Sequence, residues 1–149
     1  MSEGYVLVER NPTQEEYQRL RRAVGWQDVE TEAIETGLQN SLFSVCVVLK
    51  NEVVGCGRVI GDKCIYFYVQ DIIVSPEFQG KGIGSRIMDA IMEYLEAHAL
   101  DGAFIGLMAA NGVSKFYERY GFKERPSNAQ ECSEFIEKYD KSLRLSAVH

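Results

Sequence analysis

Apolar positions recur along this chain with two periods, and the switch between them marks out its elements. Tyr5-Val6-Leu7-Val8 reads as a short opening strand. Asn11-Pro12-Thr13 then starts a helix, with Thr13 as N-cap and Glu16, three residues on, completing a capping box. Tyr17, Leu20 and Val24 form its apolar stripe, and Gly25-Trp26 breaks it. A second helix is predicted over residues 29–38, with Ile34 and Leu38 inward and Gly37 near its end. Three strands follow at 42–50, 53–60 and 64–74, rich in Val, Cys and aromatic residues. The turns between them, Asn51-Glu52 and Gly61-Asp62-Lys63, are short, so the three strands are antiparallel neighbours.

After Ser75-Pro76 the period changes. The glycine-rich turn Gln79-Gly80-Lys81-Gly82-Ile83-Gly84 opens the most regular helix of the chain. Ile83, Ile87, Ile91 and Leu95 recur every four residues beside Met88 and Met92, while Arg86, Asp89, Glu93 and Glu96 take the other side. Asp101-Gly102 ends that unit, residues 104–110 read as a strand, and residues 114–120 as a short helix closed by Gly121. The polar tail carries weaker strand signals at Lys123-Glu124-Arg125 and near Phe135-Ile136. The order predicts an α+β domain on a mixed, mostly antiparallel sheet, because a strand–helix–strand unit forces one parallel pair.

The 149 residues suit a single domain, 1–149, of which 123–149 is the least legible part. Lys and Arg number 16 against 22 Asp and Glu, so 16 − 22 leaves −6. That balance is poor for general nucleic-acid binding and suits a cationic or neutral partner. No apolar stretch approaches the roughly 18 residues of a membrane span, and Met1-Ser2-Glu3-Gly4-Tyr5 has no signal-peptide character. Cys46, Cys56, Cys64 and Cys132 form no C-x-x-C pair, and His98 and His149 lie far apart, which argues against a metal site. Free thiols without an export signal predict a cytoplasmic protein.

The chemistry concentrates at the glycine turn. A helix start with little side-chain bulk presents backbone N–H groups and the positive end of a helix dipole, which suits phosphate. Lys81 and Arg86 add charge, and no acid lies between Phe78 and Met88. The spacing fails the G-x-x-x-x-G-K-[ST] loop and the G-x-G-x-x-G dinucleotide turn. A glycine-rich connection that holds no ligand is the competing reading.

The same residues resemble the GNAT superfamily of acetyl-CoA-dependent N-acetyltransferases. Residues 79–84 fit its Q/R-x-x-G-x-G/A signature, and residues 71–78 resemble the strand and turn that lead into it. Asn111, followed by Ser114, Phe116, Tyr117, Gly121 and Phe122, resembles its second motif. The resemblance covers residues 5–122, and the tail after Arg125 departs from a clean final hairpin. It implies a splayed pair of parallel strands flanked by helices, with the pyrophosphate of acetyl-CoA on the backbone of Gln79, Gly80, Lys81, Gly82, Ile83, Gly84 and Ser85. It also implies a pantetheine arm paired to Ile72, Ile73 and Val74, a strand N–H near Ile72 or Ile73 aimed at the thioester oxygen, and Asn111 holding the cofactor from the other strand.

The implied reaction is direct attack by a primary amine on the thioester. The resemblance makes Tyr117 the acid that protonates the departing sulfur; a core aromatic is the alternative. Asp71 is the candidate base, with a hydrogen bond inside its own sheet as the alternative, and Gln70 stands where some polyamine acetyltransferases have Glu. Tyr66 and Tyr68, with Trp26 from the helix break, are the candidate acceptor-pocket residues. Asp28, Glu30, Glu32 and Glu35 either draw an amine cation or form a solvated face. The expected partner is a small amine, neither nucleic acid nor membrane, with a polyamine, an aminoglycoside and a protein N-terminus or lysine as the open alternatives, and a homodimer is compatible with this reading. A non-catalytic acyl-CoA sensor on the same fold is the second class of function.

Overall fold

The chain folds as helices packed on both faces of one twisted sheet. The computed structural model describes residues 4–109, 113–124 and 134–136. In chain order the elements are β1 (Val6–Val8), α1 (Gln14–Ala23), α2 (Thr31–Gln39), β2 (Phe43–Leu49), β3 (Glu52–Gly61), β4 (Tyr66–Val74), a 3-10 turn at Pro76–Phe78, α3 (Ile83–His98), β5 (Phe104–Leu107), α4 (Ser114–Glu118), β6 (Lys123–Glu124) and β7 (Glu134–Ile136). Among the described residues seven strands run β1-β2-β3-β4-β5-β7-β6, and β4 pairs with β5 in parallel. The expected α+β fold is therefore the one observed.

Local chemistry explains the boundaries. Thr13 caps α1 through the N–H of Glu16, while Glu16 accepts from the N–H of Thr13 at 2.8 Å. Arg10 also binds that carboxylate and holds its pKa below the usual range. The second helix starts two residues later than its periodicity predicts, because Gln18 of α1 bonds both backbone groups of Val29 and keeps the linker extended. On the other face, α3 buries Ile83, Ile87, Met88, Ile91, Met92 and Leu95 against β2, β3 and β4. Gly57 permits that approach: a Cβ there would sit 2.5 Å from Ile87 and 2.7 Å from Ile72.

One irregularity matters most for function. Cys56 of β3 pairs with Ile73 of β4, and Arg58 pairs with Gln70, so Asp71 and Ile72 together oppose Gly57. This is a β-bulge, and Asp71 takes a left-handed backbone there, φ 57°. In a regular strand Phe67, Val69, Asp71 and Ile73 would share a face. The extra residue exchanges the faces: Ile72 and Val74 join Phe67 and Val69 beneath α3, while Ile73 packs with Leu20 of α1. Asp71 thereby turns away from the α3 core, where a carboxylate would be buried among aliphatic side chains.

Just before the bulge the parallel pair separates. Tyr66 pairs with Phe104 and the ladder continues to Val69 with Leu107, but β4 runs on to Val74 without β5 beside it. The sheet is split there, and the split opens towards the start of α3.

Candidate functional site

The split leads into a cavity of ≈ 780 Å³ that spans the sheet. Its lining combines residues 69–74 of β4, Leu107 and Met108 at the end of β5, the turn into α3, Phe116 and Tyr117 of α4, and Arg21, Val24 and Trp26 from the end of α1. This volume lies within the ordinary range of small-molecule sites.

At one end stands the glycine turn. Gly80 and Gly82 both have left-handed backbones, φ 78° and 83°. Gln79 braces the turn by donating its side-chain amide to the carbonyl of Val74 at 3.0 Å. Gly82 is the N-cap of α3 and supplies no side-chain cap, and the N–H of Arg86 bonds back to the carbonyl of Gly82. The N–H groups of Ile83, Gly84 and Ser85 precede that first helical bond, as the first turn of any helix requires. No acid lies in this turn of α3.

A further positive charge at the turn comes from a residue that the motif did not indicate. Arg119, just past α4, lines the cavity, donates to Ser85 Oγ at 3.2 Å and stacks over Phe116 at 4.9 Å. Lys81 is exposed and outside the lining, and Arg86 donates to the carbonyl of Tyr5. Only the α3–α4 packing identifies Arg119, since 34 residues separate it from Ser85. Tyr117 is buried at the cavity wall, its ring edge-on to Phe116 and Phe122. Asn111 lies outside the described residues.

The β4 bulge stands midway. Asp71 accepts from Arg58 Nε at 2.8 Å and from the Tyr17 hydroxyl at 2.8 Å. Arg58 also donates to Ser41 Oγ and the carbonyl of Gly37, so the network ties α1, α2, β3 and β4 together. Burial and the Asp71 charge push the Tyr17 phenol up to about 12. Both partners are internal to the fold, Arg58 from the neighbouring strand β3 and Tyr17 from α1, which is the arrangement that the alternative to a base describes. Tyr66 and Tyr68 stand elsewhere. They fall outside the cavity lining, and their rings tilt against Phe104 at 5.9 and 5.7 Å, beyond the point where the parallel ladder closes the split. Trp26 does line the cavity, with Arg21 stacked over it at 5.2 Å. The acidic stretch does not join it: Asp28 is paired with Arg22 at 2.7 Å, and Glu30, Glu32 and Glu35 are absent from the lining.

Comparison with known proteins agrees with this geometry. Residues 41–124 match the family model of the acetyltransferase (GNAT) domain. The chain belongs to the GNAT acetyltransferase family. It is 35% identical to a probable acetyltransferase of unknown function from meticillin-resistant Staphylococcus aureus, with a TM-score of 0.78 over 85% of this chain and 94% of that one. An uncharacterized N-acetyltransferase of Porphyra purpurea is 25% identical over 134 residues, which cover 87% of this chain and 76% of that protein. The N-acetylglutamate synthase of Neisseria gonorrhoeae, solved with coenzyme A and L-arginine, shares the fold at 13% identity and a TM-score of 0.67, over 90% of this chain and 34% of that one. Among the described residues no helix is long and apolar enough to cross a membrane.

Proposed function

We propose that this chain transfers an acetyl group from acetyl-CoA to the primary amine of a small acceptor by direct attack. The observation that carries this reading is the split of the sheet after Val69 and Leu107, which opens directly onto the uncapped start of α3. The residues fit the donor. Backbone of β4 beyond the split has lost its parallel neighbour and needs hydrogen-bond partners, which the amides of a pantetheine arm supply. Ile72, Ile73 and Val74 would pair with that arm. Gln79, Gly80, Lys81, Gly82, Ile83, Gly84 and Ser85 would hold the pyrophosphate by their backbone, with Arg119 adding a cation.

Acetyl-CoA brings an acetyl group already activated as a thioester. A β4 N–H near Ile72 or Ile73 stabilises the negative charge that develops on the thioester oxygen. The C–N bond forms as the C–S bond breaks, and the net change moves one proton from nitrogen to sulfur. Tyr117 gives the sulfur its proton, and solvent takes the one that the nitrogen loses. Asp71 is a positioning residue: with Arg58 and Tyr17 it holds the bulge that aims the β4 backbone.

Binding and turnover test this reading separately. Wild type is expected to bind acetyl-CoA in calorimetry and to release thiol when amines are added. Gly82→Val forces a β-branched residue into a left-handed backbone and is expected to weaken acetyl-CoA binding about tenfold or more, whereas Gly82→Asn, which tolerates that backbone, stays within a few-fold. Equal binding by Gly82→Val would move the donor site elsewhere. Binding without thiol release for any amine would make the protein a sensor of acyl-CoA.

A further inference from the structure

We propose that Arg21 selects the acceptor, and that the amines acetylated by this chain also carry a carboxylate. The inference rests on the acetyl-transfer reading and names its substrate class. Among the described residues, the charged side chains on the cavity wall are Arg21, Asp71 and Arg119. Asp71 is already matched by Arg58 and Tyr17. Arg119 is committed to the glycine turn through Ser85. Arg21 is left on the α1 side, beside the bulge.

Its setting is that of an anchored cation. The Arg21 guanidinium lies over the Tyr17 ring at 5.6 Å and over the Trp26 ring at 5.2 Å. Nε and one terminal nitrogen donate to the carbonyl of Gln27 at 3.2 and 2.9 Å. No acid makes an ion pair with it among the described residues, and Asp28, whose charge it feels, is bound by Arg22 at 2.7 Å. A guanidinium fixed by two rings and one carbonyl is pre-oriented, and its remaining donors suit a carboxylate. The Tyr17 hydroxyl that bonds Asp71 places this cation beside the bulge. The same charge repels a second ammonium group, so polyamines and aminoglycosides suit this end of the cavity badly.

Matched pairs of amines decide it. Rates of thiol release at saturating acetyl-CoA are compared for phenylalanine against phenethylamine and for 6-aminohexanoate against hexylamine, which places the carboxylate near to or far from the nitrogen. In at least one pair the carboxylate member is expected to have a kcat/KM about tenfold higher, the low end for a hydrogen bond to a charged group because Arg21 is part-exposed. Arg21→Gln should erase that preference and Arg21→Lys should retain part of it, with the KM for acetyl-CoA unchanged in both. Trp26, the single tryptophan of the chain, gives a second readout that needs no turnover. With CoA present, N-acetylphenylalanine should change its fluorescence at lower concentration than N-acetylphenethylamine, and Arg21→Gln should abolish the difference. Equal or better use of the plain amines in both pairs overturns the proposal, as does a preference that survives Arg21→Gln. Thiol release from no amine, with the fluorescence difference intact, would sink acetyl transfer while leaving Arg21 as a carboxylate site. If the fluorescence difference is lost as well, Arg21 fails too.

Discussion

Tyr117 shows what a single position can and cannot reveal. Its ring is part of the core and its residue type is that of a weak acid, so packing and chemistry compete for the same side chain. Tyr117→Phe separates them, because it keeps the ring and removes only the hydroxyl. A thiolate is a moderately good leaving group, so the gain from a positioned acid sits at the low end of the usual range. We expect kcat to fall about 10- to 100-fold, with acetyl-CoA affinity within a few-fold and melting temperature nearly unchanged. Loss of binding together with a lower melting temperature would assign the hydroxyl to the fold. An intact rate would assign protonation of the sulfur to water. Asp71 is the contrasting residue: its acid character is plain in the sequence, but its partners, Arg58 and Tyr17, lie 13 and 54 residues away.

At the scale of elements, the site depends on β4 leaving β5 while still lying under α3. The Gly57 backbone makes that close contact. Gly57→Ala puts a methyl group into the side chains of Ile72 and Ile87, and the usual cost of such overpacking is about 1–3 kcal/mol. In a domain of this size that lowers the melting temperature by roughly 2–4 °C per kcal/mol. Because Ile72 lies in the bulge, acetyl-CoA binding is expected to weaken in the same variant. Thermal unfolding and calorimetry check the two effects, and an unchanged melting temperature would mean that α3 is not clamped at Gly57. The neighbouring glycines act differently. Gly80 and Gly82 meet nothing where a Cβ would stand, so their requirement is backbone hand and not space.

Across the whole molecule, the Arg58–Asp71–Tyr17 network couples the helices on one face to the bulge in the sheet, and it has a pH signature. A Tyr17 phenol pushed up to about 12 stays neutral in the folded protein when the unfolded chain, with its ordinary value near 10, ionises. The folded pKa is the higher one, so this contribution to stability is complete below pH 10. It is lost as the pH rises from about 10 towards 12. Tyr17→Phe should therefore lose less stability than wild type over that window, although it is the less stable protein at pH 7. Urea midpoints at pH 7, 9, 10 and 11 measure it, and parallel curves for the two proteins would disprove the link. The net charge of −6 also conceals a polarised cavity, since among the described residues the charges on its wall that make no ion pair are the cations Arg21 and Arg119.

What the sequence determined by itself is local. The capping box at Thr13, the aliphatic spacing of α3, the short turns of the β2–β4 meander and the glycine signature are all set by neighbours within a few residues, and they sufficed for the fold and the family. The face on which a β4 side chain lies was not legible, because one extra residue at Asp71 exchanges the two faces and nothing in an alternating pattern announces it. That exchange put Asp71 into an ion pair, while the parallel ladder set the rings of Tyr66 and Tyr68 against Phe104 and outside the lining of the split. Arg119 and Arg21 entered the cavity wall by the same route. A charge acquires its partner from the whole field around it, and that field is assembled only when distant segments pack together.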